Sequence, residues 1–264
     1  MTTTTPTFPT APEDGVPAVD AVEPGGRGEI HLVQLYPRDM NIYGDWGNTL
    51  TLKRRLEKRG YAVQLTDYNP GDSFPADADL FVGGGGQDSG QFRVMEDLQK
   101  IKPVMYELVA DGVPMLAICG LYQLFGHEFR TIGGEVLPGI GIFDLTTVGG
   151  ETRLIGNIVT ESEKFGTIIG YENHSGLTRL ADGQQPLGRV VSGDGNDGED
   201  GTEGAVTNEV IGTYLHGSLL PKNPVLADHL IATAVRRRYS HETLEPLNDT
   251  LSQKAREVAR NRPR

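Results

Sequence analysis

The segment Pro114-Met115-Leu116-Ala117-Ile118-Cys119-Gly120-Leu121-Tyr122-Gln123 is the most informative part of the sequence. An apolar strand begins after Pro114 and ends on Cys119, the only cysteine, and helical sequence follows from Leu121 to Gly126. A cysteine on such a strand-to-helix turn stands clear of the sheet, where backbone N–H groups and the helix N-terminus stabilise a thiolate. The segment therefore indicates a nucleophile elbow. The alternative is a buried cysteine that serves only as a small apolar side chain.

The sequence before this elbow alternates between strands and helices. The segments Glu29–Tyr36, Tyr61–Thr66 and Asp79–Val82 have strand composition, and helical sequence runs from about Gln91 to Ala110, interrupted before Pro103. This alternation predicts a single α/β domain with a doubly wound, mostly parallel sheet. In such sheets the functional site lies at the carboxyl ends of the strands.

Composition narrows the class of protein. A chain of 264 residues holds one large domain or two small ones, and its net charge of −12 argues against nonspecific binding to nucleic acid. A single cysteine cannot form an internal disulfide. Because no signal peptide or bilayer-spanning apolar run is recognisable, we expect a cytoplasmic protein.

The two ends and one internal loop differ in composition from the rest. Residues 1–27 are rich in Thr, Pro, Gly and acidic residues, which predicts a disordered tail, followed by the main domain at 28–242 and a partly helical C-terminal extension at 243–264. The acidic loop Gly193–Gly204 lacks the ligand order of an EF-hand, so we expect a solvated, mobile loop. No group of residues has metal-ligand spacing, and no metal site is predicted.

A run of four glycines, Gly83–Gly86, follows the third strand. Without side chains, its backbone N–H groups can face a ligand directly. It is not a phosphate-binding P-loop, because no Gly-Lys-Ser/Thr follows. A flexible turn is the alternative interpretation.

A histidine at the end of a later strand completes a catalytic hypothesis. His216 ends the strand that begins near Ile211, and His174 is its only serious rival. In this hypothesis His216 takes the thiol proton and the thiolate attacks a carbonyl carbon. The N–H groups of Gly120 and of Gly84 and Gly85 hold the oxyanion, and the histidine then protonates the leaving amine.

Several separate segments together resemble class I glutamine amidotransferases of the cobyric-acid-synthase-like branch. Within that branch the sequence is most similar to the glutaminase subunits of lipid II isoglutaminyl synthases. The resemblance rests on MNIYGDWGN (Met40–Asn48), LFVGGGGQDSGQ (Leu80–Gln91), ICGLYQ (Ile118–Gln123), FGTIIGYENHSG (Phe165–Gly176) and GTYLHGSLLPKNP (Gly212–Pro224).

The resemblance implies roles for individual residues. Cys119 is expected to be the nucleophile, His216 the general base, and Arg153 a residue that engages the substrate. Gln123 and His174 are further candidates for the site.

The sequence also departs from the family pattern at two positions. Leu121 stands where the family commonly has glycine, which raises the prospect of a crowded elbow. Gly217-Ser218 replaces the Pro-Glu that supplies the third catalytic residue of many class I enzymes. A Cys–His dyad is therefore expected, with the group that orients His216 unassigned.

The resemblance further implies a glutaminase that releases ammonia from L-glutamine for a Mur-ligase-like partner subunit, MurT. That partner is expected to use ATP to amidate the D-glutamate of lipid II to D-isoglutamine. No Walker-type loop is recognisable here, so no cofactor is expected on this chain. Three alternatives remain open: a different acceptor such as cobyrinate, another cysteine hydrolase of this fold, and a catalytically silent binding partner.

Overall fold

The computed structural model describes residues 25–240 and 243–262. The predicted disordered tail lies almost entirely outside the described residues. Its last part, from Gly25, is bound to the domain, because the N–H groups of Gly25 and Arg27 both donate to the carbonyl of Gly60.

The strands and helices follow in chain order as β1 (Glu29–Leu35), a 3-10 turn (Ile42–Gly44), α1 (Trp46–Glu57), β2 (Ala62–Tyr68), β3 (Leu80–Gly83), α2 (Asp88–Ala110), β4 (Met115–Ile118), α3 (Gly120–Leu124), β5 (Glu128–Arg130), β6 (Val136–Pro138), β7 (Leu145–Ser162), β8 (Gly166–Leu180), β9 (Gly188–Ser192), β10 (Thr202–Glu203), β11 (Ala205–Thr207), β12 (Val210–Thr213), α4 (Leu219–Lys222), α5 (Pro224–Tyr239) and α6 (Thr250–Arg260).

The main sheet has the order β11-β12-β4-β3-β1-β2, and only the edge strand β11 is antiparallel to its neighbour. The central strands β3, β4 and β12 are buried along their whole length, as expected of parallel strands covered on both faces. The predicted α/β fold is therefore confirmed. The carboxyl ends of β3, β4 and β12 meet at one edge of the sheet, where the predicted nucleophile, glycine loop and histidine follow them.

A second sheet accounts for the chain between α3 and β11. Its order is β10-β9-β7-β5-β6, with β8 paired to β7. From the sequence, the segments Gly141–Thr147, Arg153–Thr160, Thr167–Tyr171 and Arg189–Ser192 are predicted to be short strands separated by glycine turns. In the structure, β7 and β8 instead form one long antiparallel hairpin whose register shifts between Gly149 and Leu154. The glycines that interrupt the sequence pattern lie inside β7. At Gly149 another segment passes so close that a Cβ would stand 2.6 Å from the nitrogen of Ile132, so this position requires glycine.

Two local predictions are wrong. Helix α2 is not interrupted before Pro103 but continues through it, so tertiary packing outweighs the loss of one intrahelical hydrogen bond. The acidic loop Gly193–Gly204 is not simply solvated, since Asn196 and Glu203 are completely buried. Asn196 also donates to the carbonyl of Gly204 and accepts its N–H, so side-chain hydrogen bonds close the loop upon itself.

The C-terminal extension is helical at α6 and is attached to the domain by ion pairs, since Asp249 binds Arg55 of α1. No helix within 25–240 and 243–262 is both long and apolar enough to cross a membrane.

Candidate active site

The backbone at Cys119 confirms the predicted elbow geometry. Cys119 lies between β4 and α3 with φ 51° and ψ −107°, a conformation that side-chain-bearing residues rarely adopt. Two hydrogen bonds hold it: Cys119 N–H donates to the carbonyl of Thr213 at 2.8 Å, and Gln123 N–H donates to the carbonyl of Cys119 at 2.9 Å. A cysteine held on so tight a turn presents its sulfur at the edge of the sheet.

Leu121 does not crowd this elbow. Its side chain is fully buried against Gly83, where a Cβ would stand 2.0 Å from Leu121 Cδ2. The glycine that ends β3 thus provides the space that the larger side chain of α3 requires.

His216 lies beside Cys119 and is completely buried. A Cβ on Gly85 would stand 2.8 Å from His216 Cε1 and 3.0 Å from Cys119 Cβ, so the glycine loop packs against both residues. Nδ1 of the histidine faces a carboxylate, and Nε2 has no regular hydrogen bond to any described residue and is left for the Cys119 side chain.

The carboxylate that faces His216 belongs to Asp45, a residue that the sequence prediction missed. Both of its oxygens lie 3.2 Å from His216 Nδ1, and Asp45 is 1% exposed. Burial alone would lower the pKa of His216, but its interactions with the Cys119 side chain and the Asp45 carboxylate outweigh burial and raise it to about 10. Asp45 therefore favours the imidazolium form of His216, and it is the orienting group that the sequence left unassigned.

Asp45 also changes the assignment of the oxyanion donors. Gly85 N–H donates to Asp45 Oδ2 at 2.8 Å, which commits it to orienting the carboxylate. The nitrogen of Gly86 lies 3.1 Å from the position that a Cβ on Gly120 would take. The N–H groups of Gly86 and Gly120 have no acceptor among the described residues, so this pair is placed to bind an oxyanion, whereas the N–H of Gly85 is already occupied.

A pocket of about 380 Å³ opens in front of Cys119, and Arg153 lies at its wall. The guanidinium group donates to Asn173 Oδ1 through Nε at 3.0 Å and Nη2 at 2.7 Å, and Nη2 also lies 3.3 Å from Tyr43 Oη. No carboxylate among the described residues pairs with Arg153, so its charge is available to an anionic ligand.

A family model matches most of the chain that carries this site. The model of the CobB/CobQ-like glutamine amidotransferase domain matches residues 31–224. The chain belongs to the CobB/CobQ-like glutamine amidotransferase family.

Two relatives within the family are similar over most of their length. The first is "Lipid II isoglutaminyl synthase (glutamine-hydrolyzing) subunit GatD" of Staphylococcus aureus. It is 40% identical over 211 residues, which is 80% of this chain and 86% of the relative. The subunit of the same name from Streptococcus pneumoniae is 37% identical over 233 residues, or 87% and 90% of the two chains.

Solved structures extend the likeness to the fold. The structure of PurLQS from Thermotoga maritima matches with a TM-score of 0.55 and 14% identity, covering 76% of this chain and 97% of that chain. At this identity the match supports the fold alone.

The two remaining candidates of this amidotransferase also line the pocket, and among their polar side-chain atoms His174 Nε2 alone has no hydrogen-bond partner in the described residues. His174 Nδ1 lies 2.8 Å from the carbonyl of Gly176, its ring stacks on Tyr214, and burial lowers its pKa to about 4. Gln123 Oε1 accepts from Gln91 Nε2 at 2.8 Å and its Nε2 donates to Tyr214 Oη at 3.0 Å. Gln123 therefore supports the pocket wall, whereas His174 keeps one unpaired ring nitrogen beside the pocket.

Proposed function

We propose that this chain hydrolyses L-glutamine to glutamate and ammonia and delivers the ammonia to a ligase subunit. The observation that carries the proposal is the buried Asp45–His216 pair beside the elbow Cys119, in front of which the pocket opens. Membership of the amidotransferase family and the names of the GatD relatives support the same activity.

In the first half of the reaction the Cys119 thiolate attacks the carboxamide carbon of glutamine. The carbonyl oxygen becomes an oxyanion that the N–H groups of Gly120 and Gly86 bind. When the C–N bond breaks, His216 gives its Nε2 proton to the leaving nitrogen, ammonia departs and a γ-glutamyl thioester remains on the cysteine.

In the second half a water molecule attacks the thioester. His216 Nε2 takes a proton from this water, and the tetrahedral intermediate collapses to release glutamate and restore the thiolate. Asp45 accepts the Nδ1–H throughout and stabilises the imidazolium form.

The glutamine α-carboxylate is assigned to Arg153. A guanidinium group forms strong charge-assisted hydrogen bonds with a carboxylate, and Asn173 fixes its orientation at the pocket wall.

The proposed acceptor is lipid II, and the proposed partner is the Mur-ligase-like subunit MurT with its ATP. Both GatD relatives are named as subunits of a lipid II isoglutaminyl synthase, which supports a division of labour between two chains. Tyr43, Trp46 and Tyr171 are exposed aromatic side chains close in sequence or space to Asp45 and His216. Aromatic residues are enriched in protein interfaces, so this surface is suited to a partner that collects ammonia at the site.

A glutaminase assay with and without the partner tests this function. The wild-type complex should release glutamate from glutamine, and Cys119→Ala should abolish release without loss of folding, as followed by circular dichroism. Turnover by Cys119→Ala would contradict the mechanism. Ammonia transfer to cobyrinate and not to lipid II would show that the proposed acceptor is wrong. Peptidase activity without glutaminase activity would show that the proposed function is wrong.

A further inference from the structure

The carboxyl group of Glu203 lies inside the protein and has no part in the mechanism above. It stands on β10 at the end of the acidic loop, with none of its surface exposed. Burial and the nearby Glu172 raise its pKa to about 8, although hydrogen bonds act in the opposite direction. Because moving a carboxyl group out of water costs free energy, we infer the role of Glu203 from the hydrogen bonds that it makes.

Glu203 is hydrogen-bonded to the segment that directly precedes His216. Tyr214 N–H donates to Oε1 at 2.8 Å, and Thr213 Oγ1 lies 3.0 Å from Oε1 and 3.2 Å from Oε2. Leu215 N–H in turn donates to Thr213 Oγ1 at 3.0 Å. One buried carboxyl group therefore holds the backbone of Tyr214 and the side chain of Thr213, and through that side chain it also fixes the N–H of Leu215.

The same segment also holds the nucleophile. The carbonyl of Thr213 accepts the N–H of Cys119 at 2.8 Å, and His216 follows within three residues. A displacement of Thr213 and Tyr214 would therefore change the position of Cys119 relative to His216.

We propose that Glu203 is a positioning residue that sets the geometry of the Cys119–His216 pair by fixing Thr213 and Tyr214. It does not touch the substrate, and its role rests on the catalytic mechanism proposed above. Through Glu203 the acidic loop becomes a buried support of the active site.

Replacing Glu203 with alanine in the full chain, bound to its ligase partner, tests this role. We expect kcat for glutamine to fall by about 10- to 100-fold with KM unchanged, since small misplacements of catalytic groups have effects of this size. Alkylation of Cys119 by iodoacetamide should slow in parallel. Glu203→Gln should restore both rates, because its amide accepts from Tyr214 N–H and donates to Thr213 Oγ1. Rates are expressed per natively folded chain.

Asp97→Ala is the matched control. Asp97 is also a buried carboxylate, accepting from Tyr36 Oη at 3.0 Å and Tyr68 Oη at 2.7 Å near the opposite edge of the main sheet. The Asp97→Ala variant should have a lower melting temperature, while its kcat and the alkylation rate of Cys119 stay normal.

If Glu203→Ala does not fold, Thr213→Val tests the same contact, because it replaces the hydroxyl group by a methyl group of similar size; kcat and the alkylation rate should both fall. Normal kcat and alkylation in whichever variant folds would overturn the positioning role. Glutamine turnover by Cys119→Ala would instead overturn the underlying mechanism.

Discussion

The nucleophile and its neighbours combine backbone strain with buried charge. A non-glycine residue in a sparsely populated conformation costs about 1–3 kcal/mol. Cys119 retains φ 51° because hydrogen bonds from β12 and α3 hold both of its peptide groups. The strained turn places its sulfur against His216, whose imidazolium form Asp45 stabilises, so the histidine is oriented before substrate arrives.

Removing the charge of Asp45 should impair this pair. In Asp45→Asn the imidazolium loses a carboxylate that raises its pKa, and we expect kcat to fall by about 10²- to 10⁴-fold with KM nearly unchanged. His216 is protonated below a pKa of about 10, so activity that needs the imidazolium is lost as pH rises through that value. In the variant this loss should occur at lower pH, as a pH profile of kcat would reveal.

Asp39→Asn is the control for Asp45→Asn, because Asp39 precedes the same loop and pairs with Arg93 at the surface. It should leave the pH profile unchanged. An Asp45→Asn profile that coincides with that of the wild type would show that Asp45 does not tune His216.

Arg153→Ala should raise KM for glutamine by about 10- to 100-fold, the equivalent of one or two charge-assisted hydrogen bonds. Because Arg153 does not hold the catalytic pair, Cys119 should react with iodoacetamide at the normal rate. Arg130→Ala, which removes another exposed arginine of the second sheet, is the control. Equal losses of glutamine turnover and alkylation would point to general damage of the site instead.

The site was only partly predictable because its members come from distant parts of the chain. Cys119 has a local signature, since an apolar strand, a glycine and a helix surround it. Asp45 has none: it lies in a loop 171 residues before His216, and only the fold brings them together. The choice among the loop glycines likewise depends on which N–H group Asp45 occupies, and sequence does not carry that information.

Among the elements, parallel strands were easier to predict than the long hairpin. Strands of the main sheet are short apolar runs between helices, and that pattern specifies both their type and their burial. In β7 the glycines Gly149 and Gly150 have the sequence signature of a turn, although the strand continues through them with a shift of register. Pro103 likewise has the sequence signature of a helix boundary, although α2 continues through it.

Glu203, which is buried on β10, should make the stability of the protein depend on pH. The folded-state pKa of Glu203, about 8, lies above its ordinary value, so the folded protein binds this proton more tightly than the unfolded chain does. The resulting stabilisation is complete below the unfolded pKa and is lost as pH rises through about 8. Urea unfolding should therefore show the wild type losing a few kcal/mol relative to Glu203→Gln between about pH 5 and about pH 9. A difference in unfolding free energy between the two proteins that stays constant with pH would contradict the raised pKa of Glu203.

For the whole molecule, buried ion pairs attach the C-terminal extension to the domain. Arg55 binds both Asp228 of α5 and Asp249 of the extension, and Arg59 also binds Asp228. Asp228→Asn leaves two buried guanidinium groups short of a partner and should cost about 3 kcal/mol of unfolding free energy. Asp249→Asn leaves Arg55 paired with Asp228 and should cost about 1 kcal/mol. Equal losses of unfolding free energy in chemical denaturation would show that Asp228 and Asp249 contribute equally to stability, contrary to this prediction.

The proposed division of labour between two chains is consistent with the chemistry of the site. Amide synthesis from a carboxylate requires an activated acceptor, and the sequence has no recognisable loop that would bind the phosphates of ATP. Cys119 and His216 can release nitrogen but cannot activate the acceptor. The chain alone should therefore never amidate lipid II, whatever the glutamine concentration.

Free ammonium should bypass a dead glutaminase in the assembled complex. With MurT, ATP and lipid II present, Cys119→Ala should give no D-isoglutamine from glutamine, but it should form the product when abundant ammonium is supplied at a pH where some is NH₃. Only nitrogen delivery is lost in this variant if, as proposed, activation of the acceptor occurs on the other chain. Mass spectrometry of the stem peptide measures the product, and the wild-type complex with each nitrogen source is the control. Failure of ammonium to restore amidation in a complex that still hydrolyses ATP would contradict this division of labour.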